Sequence, residues 1–120
     1  MYWKQTEAID HISSMQIHEG IGLIKRRNLF NESSRLPISI EIWEFDQGVS
    51  EGDHTHKGEE SLEEIYYFLE GKGVMTVNGE EVSVSAGDAI MVPPGVDHGV
   101  LNVGSDPLKV VIIWGEPENN

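Results

Sequence analysis

The sequence contains no cysteine, which excludes disulfide bonds and thiolate metal ligands. Basic residues are also few: eight Lys and Arg accompany twenty-one Asp and Glu, for a formal net charge of -13. A field of that sign repels polyanions, so we expect no nucleic-acid partner. No apolar run is long enough to cross a bilayer, and the first residues lack the apolar core of a signal peptide. We expect a cytoplasmic protein without a membrane partner.

The sequence signatures of several enzyme classes are missing as well. There is no Gly-x-Ser-x-Gly nucleophile elbow, and a cysteine nucleophile is impossible. The segment Gly71-Lys72-Gly73 is followed by a strand pattern rather than a helix, so it does not predict a phosphate-binding loop. At 120 residues the chain is one domain, and it can bury about two-thirds of its unfolded surface.

The local pattern throughout is that of an all-β protein with little helix. Short runs rich in β-branched and aromatic residues are separated by Gly, Pro, Asn and Asp, which is typical of a sandwich or barrel. Strands are predicted near residues 21–30, 38–45, 65–69, 74–77, 82–84, 90–92, 99–103 and 108–114. Asn78-Gly79 between alternating apolar residues predicts a type I′ hairpin. Pro93-Pro94-Gly95 predicts a rigid turn.

The chain divides into three parts on this pattern. Residues 1–20 are an N-terminal arm or an extra strand, residues 21–115 form the barrel, and residues 116–120 are a frayed tail. The arm has weak helical periodicity at best, and it could be exchanged between two chains of a dimer. His11 and His18 lie in this outer segment, and we interpret both as structural or exposed rather than as ligands.

Within the barrel, histidines and a glutamate occur at a spacing that suits a metal centre. His54 and His56 would face the same side of an extended strand and could converge on one ion. Alone, such a pair is as readily two exposed histidines in a polar loop. Glu64 and His98 follow at a distance in sequence, and imidazole with carboxylate can hold a divalent ion while leaving positions open for substrate.

These residues lie in two motifs. The first is Gly52-x-His54-x-His56-x7-Glu64-x6-Gly71, and the second is Gly87-x5-Pro93-x-Gly95-x2-His98-x3-Asn102. Over about residues 48–114 the chain resembles the cupins. The second motif is complete. In the first, the family's histidine pair usually lies further from its leading glycine, and its glutamate usually follows the second histidine after three or four residues rather than seven.

The resemblance implies a double-stranded β-helix, or jelly-roll barrel, and a divalent metal held by His54, His56, Glu64 and His98. It also implies a homodimer, because cupins commonly pair. The metal would be Fe, Mn, Ni or Zn, since this donor set suits each of them. Glu59, Glu60 and Glu63 are the competitors of Glu64, which is favoured because it places residues 65–71 in the family's register.

Strand alternation predicts the walls of the pocket. If Glu64 faces inward, Tyr66 and Phe68 share its face, while Ile65, Tyr67 and Leu69 face outward. Tyr66 is then the candidate catalytic residue, or a buried aromatic that fills the barrel. Met91 is expected in the core. In the basic cluster, either Arg26 or the pair of Lys25 and Arg27 would face inward, unless all three are exposed.

Three functions are compatible with this sequence. The leading hypothesis is a metalloenzyme that acts on a small polar molecule, such as a carboxylate, a sugar-like compound or a catechol-like compound. The second is a non-catalytic protein that binds a small ligand through the metal. The third is a structural metal, or an empty barrel that acts through a protein partner. Cupins catalyse many reactions on one fold, so fold resemblance does not choose among them.

Overall fold

The computed structural model describes residues 1–55 and 61–118 and shows an almost entirely β structure. The strands are β1 Ser13–Met15, β2 Ile24–Asn28, β3 Ile38–Phe45, β4 Ser50–His54, β5 Glu63–Glu70, β6 Lys72–Val77, β7 Glu80–Ser85, β8 Ala89–Val92, β9 His98–Asn102 and β10 Leu108–Gly115. A short 3₁₀ helix, Glu7–Ile9, precedes them. Over the described part of the chain, no helix is long and apolar enough to cross a membrane.

The strands form two antiparallel sheets. One has the order β1-β2-β3-β10-β5-β8 and the other the order β4-β9-β6-β7. On β5 and β10 buried side chains alternate with more exposed ones, and the buried side chains of both sheets form one core between them. The predicted all-β fold with little helix is confirmed.

The core consists mainly of aliphatic and aromatic side chains from both sheets. Its buried members are Ile17, Ile24, Trp43, Phe45, Tyr66, Phe68, Met75, Val84, Val92, Val100, Leu108, Val110 and Ile112. The predicted alternation on β5 is confirmed, because Glu64, Tyr66 and Phe68 are buried while the residues between them are exposed. The expectation for Met91 is wrong: its side chain is 57% exposed on the outer side of the edge strand β8.

Two turns were predicted correctly, and together they fix the start of β9. Asn78 and Gly79 both have positive φ, 48° and 81°, as the type I′ hairpin requires. The Asn78 N–H donates to the Asp97 carbonyl over 2.7 Å, and its Oδ1 accepts from the Asp97 N–H over 2.9 Å. The hairpin tip therefore holds the segment just before His98.

Two strands were not among the predicted runs. β4 is polar, and it becomes a strand only because it pairs with β9. β1 pairs with β2 of its own chain, so the arm contributes an extra strand to the six-stranded sheet. In both cases the pairing partner, rather than local composition, decides the conformation.

After β1 the chain crosses β4 at a close approach that only glycine permits. The Gly52 N–H donates to the Ile17 carbonyl over 3.2 Å, and the Ser50 N–H donates to the Ile21 carbonyl over 2.9 Å. A Cβ on Gly52 would overlap the carbonyl oxygen of His18. The backbone of His18 therefore lies directly against β4, and it has a positive φ of 52°.

We expect Gly52→Ala to lower the free energy of unfolding by about 1–3 kcal/mol, because the added methyl group meets a backbone carbonyl that cannot rotate away. Urea unfolding measures this. Gly104→Ala is the matched control, since its added Cβ would come no closer than 3.5 Å to any neighbour. Equal stability of the two variants would contradict the close approach.

Candidate metal centre

Pairing between β4 and β9 places two of the predicted ligands side by side. His54 and His98 are direct cross-strand partners, and their ring centroids are 4.1 Å apart. Both side chains point into the barrel: His98 is 1% exposed, and the His54 side chain is 9% exposed. The register of this sheet therefore produces the histidine pair.

The carboxylate comes from the opposite sheet. Glu64 on β5 places its Oε1 2.9 Å from Nε2 of His98 and 3.8 Å from Nε2 of His54. The donor atoms of these three residues all lie within 4.8 Å of one another. Ligand atoms around one ion with bonds of about 2.1 Å are separated by about 3 to 3.5 Å, so a small closure would accommodate a transition metal.

The backbone orients both imidazoles toward the same point. Nδ1 of His54 donates to the Gly52 carbonyl over 3.0 Å, and Nδ1 of His98 donates to the Val96 carbonyl over 2.9 Å. Such bonds fix the tautomer in which Nε2 is available to a metal. The donor types and their orientation fit a divalent transition metal.

The remaining predicted ligands stand as follows. His56, Glu59 and Glu60 lie outside the described residues. Glu63 precedes Glu64 on β5, and it lines an outer surface cleft with Ile65 rather than the barrel interior. The structure thus brings together His54, Glu64 and His98, and the ligand set as a whole stays a prediction.

Two residues join this cluster that sequence analysis did not assign to it. Glu51 is 2% exposed, and its Oε2 lies 3.7 Å from Nε2 of His54 and 3.8 Å from Nε2 of His18. The His18 ring stacks on the His54 ring, with centroids 3.5 Å apart and planes inclined by 12°. The expectation that His18 lies away from both motifs is therefore wrong, because the crossing of the arm over β4 carries it to the site.

A β-bulge explains why Glu51 was missed. Pairing passes from Glu51↔Val100 to His54↔His98, so one more residue step occurs on β4 than on β9. Strict alternation would point Glu51 and His54 to opposite sides, whereas the bulge turns both inward. The available signal was Gly52, because a glycine within a strand often marks such a bulge.

Tyr66 connects the two carboxylates. Its side chain is fully buried, and its hydroxyl donates to Oε1 of Glu51 over 3.0 Å with Oε2 of Glu64 3.4 Å away. Burial first, and then the neighbouring carboxylates, raise the pKa of Tyr66 well above its ordinary value. The hydroxyl therefore stays protonated and available as a donor.

The cluster concentrates charge in an apolar interior. The pKa of Glu51 is raised to about 7, mainly by burial; the positive charge of His54 opposes this rise and the negative charge of Glu64 adds to it. Burial by itself would lower the pKa of His54, but the nearby carboxylates of Glu64 and Glu51 and the hydrogen bond to the Gly52 carbonyl outweigh it, so the pKa is raised. A bound cation could replace these protons, which couples metal binding to pH.

A cavity of about 300 Å³ opens onto the cluster. Its described lining consists of Met15, Gln16, Ile17, His18, Arg26, Trp43, Glu51, Leu62, Glu64 and Trp114. Of the two inward arrangements predicted for the basic cluster, Arg26 is the one found. Lys25 instead lies near Glu44 and Asp46. A larger cleft of about 490 Å³ lies between Met1–Trp3 and residues 29–40, and its described lining has no histidine or carboxylate.

A family model, the cupin domain, matches residues 41–114. The chain belongs to the cupin family. That range runs from within β3 almost to the end of β10, so it includes the whole four-stranded sheet and the three converging side chains, whereas β1 and β2 lie before it. The N-terminal arm that carries His18 lies before it.

Solved structures confirm the jelly-roll barrel. A predicted oxalate decarboxylase from Thermotoga maritima superposes with a TM-score of 0.85 at 25% identity, over 93% of this chain and 97% of that one. An RmlC-like cupin from Shewanella frigidimarina superposes with a TM-score of 0.73 at 22% identity, over 96% of this chain and 91% of that one. The latter likeness concerns the fold alone.

Curated relatives match over shorter stretches. An uncharacterized protein of Methanocaldococcus jannaschii is 49% identical over 49 residues, 41% of this chain and 39% of that protein. The oxalate-binding protein of Thermotoga maritima is 39% identical over 66 residues, 55% of this chain and 52% of that protein. A dimethylsulfoniopropionate lyase of Ruegeria pomeroyi is 30% identical over 90 residues, 73% of this chain and 56% of that protein. This chain therefore covers less than two thirds of each of these relatives.

We expect the metal-free protein to lose stability as the pH rises from about 4.5 to about 7. Over that range the unfolded chain releases a proton from Glu51 that the folded protein retains, because the pKa is raised from 4.5 to about 7. The difference corresponds to on the order of 3 kcal/mol. The raised pKa of His54 acts in the same direction.

Urea unfolding in the presence of a chelator, at about pH 5 and about pH 8, measures this loss. In Glu51→Gln the free energy of unfolding should fall less between these two pH values than in the wild type. Glu80→Gln, at an exposed position, should show the same fall as the wild type. A wild-type stability that does not fall with pH would contradict the burial of Glu51.

Proposed function

We propose that this cupin binds one divalent transition metal through His54, His56, Glu64 and His98, and that it is an enzyme acting on a small polar molecule in the adjoining cavity. The observation that carries the proposal is the convergence of Nε2 of His54 and of His98 with Oε1 of Glu64, all within 4.8 Å, beside an open cavity. His56 is included in this ligand set because it belongs to the first cupin motif.

The relatives support a small ligand. One is named for binding oxalate and another for the cleavage of dimethylsulfoniopropionate. A cavity of about 300 Å³ is at the lower end of the volumes of ligand sites. Fe, Mn, Ni and Zn all remain candidates, since each accepts imidazole and carboxylate ligands.

When bound, the metal would orient substrate oxygens and polarise a bond. The residues of the chain provide the surroundings for that chemistry. The Tyr66 hydroxyl holds Oε1 of Glu51, which leaves Oε2 facing His18 and His54. The Tyr66–Glu51 pair could give a proton to the substrate or take one from it. Such a transfer would stabilise a charge that develops on a substrate in the cavity.

A non-catalytic binding protein is the alternative. The relative named as an oxalate-binding protein favours it, because that name describes binding rather than turnover. In that case the same metal and cavity would hold the ligand, and no group would need to move a proton.

The metal site is tested by substitution. We expect His54→Ala, His98→Ala and Glu64→Gln each to lower metal affinity about tenfold or more, because each removes a ligand atom. Elemental analysis of protein purified without a histidine tag gives the metal content per chain.

Two matched controls are available: Glu63→Gln on the opposite face of β5, and His11→Ala at an exposed position. Both should retain full metal content. Full occupancy in the histidine variants would contradict the site, and an effect of Glu60→Gln in place of Glu64→Gln would reassign the carboxylate. If no glutamate matters, a three-histidine site completed by water would be indicated.

Tyr66→Phe separates an enzyme from a binder. The change removes only the hydroxyl, which is not a predicted ligand, so metal content should remain nearly unchanged, while loss of the buried hydrogen bond to Glu51 should lower the melting temperature by several degrees. In an enzyme kcat should fall with little change in KM, whereas in a binder only ligand affinity would weaken. Steady-state kinetics on carboxylates, sugar phosphates and catechol-like compounds make the measurement. Full activity in this variant would remove Tyr66 from the mechanism.

We also propose a homodimer, in which residues Met1 to Gly20 contribute an arm to the partner; the strand within this segment, β1, pairs with β2 of its own chain. The outer face of the β5–β8 edge exposes Ile65, Tyr67 and Leu69 at 38–45%, and Met91 at 57%. Met1, Tyr2 and Trp3 of the arm are also exposed. Light scattering at micromolar concentration should give twice the chain mass of 13.4 kDa, and a monomeric mass would exclude the dimer. The cytoplasmic location stays a prediction.

A further inference from the structure

Arg26 occupies a fixed position in the wall of the cavity. It is the cross-strand partner of Trp43, and its guanidinium carbon lies 5.0 Å from the centre of the Trp43 ring. Its Nε donates to Oε1 of Glu41 over 2.7 Å, and the same oxygen accepts the Trp43 indole N–H over 2.8 Å. Glu41 and Trp43 therefore hold the guanidinium in one plane before any ligand arrives.

The ion pair with Glu41 engages only one of the nitrogen atoms of the Arg26 guanidinium. Of its five N–H donors, the contacts with described residues engage Nε with Glu41 and Nη1 with the sulfur of Met15 over 3.0 Å. The side chain is 24% exposed and lines the cavity. The outer edge of the guanidinium is therefore available to an acceptor from solution.

The positive charge of Arg26 is an exception both within the cavity and in the chain as a whole. Among the described residues that line the cavity, Arg26 is the one permanent cation, beside the carboxylates of Glu51 and Glu64. The chain as a whole carries a net charge of -13. An anion would be repelled by most of this surface, so its binding requires a local positive group.

We propose that Arg26 binds the carboxylate of a small organic anion whose other end reaches the metal. This assignment rests on the proposed metal site, and it selects the carboxylate class from the three substrate classes considered above. The planar fork of arginine matches a carboxylate with two parallel hydrogen bonds. The cavity that Arg26 and Glu64 both line is also lined by Ile17, Trp43, Leu62 and Trp114, which suits a ligand with a flat apolar middle.

The competing explanation is that Arg26 serves only to neutralise buried Glu41. The two roles differ in ligand selectivity. A structural arginine would affect charged and neutral ligands alike, whereas a carboxylate anchor distinguishes them.

The test uses zinc-loaded protein, so that binding is measured without redox turnover. The probes are 3,4-dihydroxybenzoate and 3,4-dihydroxybenzamide, which share a chelating end and differ in the charge of the other end. Isothermal titration calorimetry should show that the wild-type protein prefers the benzoate by about ten- to a hundredfold. Arg26→Gln should abolish this preference while leaving the affinity for the benzamide within about twofold.

Lys25→Gln is the matched control, because it removes the same charge from the neighbouring position on β2, where the side chain lies near Glu44 and Asp46 instead of the cavity. It should retain the wild-type preference. Arg26→Lys keeps the charge without the fork and should retain only part of it. Zinc content and circular dichroism confirm that each variant is folded and loaded.

The outcomes separate the two proposals. A zinc-loaded protein that binds both probes equally, or an Arg26→Gln variant that still prefers the benzoate, would overturn the role of Arg26 alone. A wild-type protein that takes up no zinc would overturn the metal site, and with it this assignment.

Discussion

The structure depends on holding two carboxylates, Glu51 and Glu64, against three histidines inside an apolar barrel. Unpaired charges in such surroundings are costly, and the opposing effects on the pKa values of Glu51 and His54 show how closely the groups are coupled. Each carboxylate has an imidazole nitrogen within 4 Å, and both contact the Tyr66 hydroxyl. A divalent cation bound between these groups would neutralise the negative charge of the two carboxylates in place of protons.

The surrounding architecture serves to bring these groups together. β4 and β9 supply the histidine pair by direct register, while β5 in the other sheet supplies Glu64 and Tyr66. The arm adds His18 by crossing β4 at Gly52, where no side chain would fit. Four separate stretches of chain thus meet at one point, so the site forms only when both sheets and the arm are in place.

The cavity combines side chains able to hold a metal, a fixed positive charge and apolar walls. Its lining includes the carboxylates of Glu51 and Glu64, the imidazole of His18, several apolar side chains, and Arg26, which is fixed on Trp43 by Glu41. With a metal at the proposed site, this arrangement would favour a ligand with chelating oxygens and an anionic group. Cupins place many reactions on one barrel, so the selection of substrate rests on such wall residues rather than on the fold.

Local sequence was sufficient for the features that depend on neighbouring residues. The Asn78-Gly79 hairpin, the Pro93-Pro94-Gly95 turn and the inward face of β5 follow from backbone freedom and from alternation, and each was predicted correctly. The resemblance of the two motifs to those of cupins implied that His54 and His98 converge, and the structure places their rings 4.1 Å apart. Alternation also limited the choice among the basic residues of β2, of which Arg26 proved to face the cavity.

Tertiary structure decided the rest, because the interactions responsible join residues distant in sequence. β4 is a strand only through its pairing with β9, and the bulge in that pairing turns Glu51 inward against the alternation of its own strand. His18 reaches His54 through backbone contacts between the arm and β4, which nothing in the local composition of the arm indicates. The sequence by itself therefore predicted a metal site, and motif spacing and alternation were enough to name His54, Glu64 and His98; only the folded chain determined that Glu51, His18, Tyr66 and Arg26 surround them, because these contacts join residues distant in sequence.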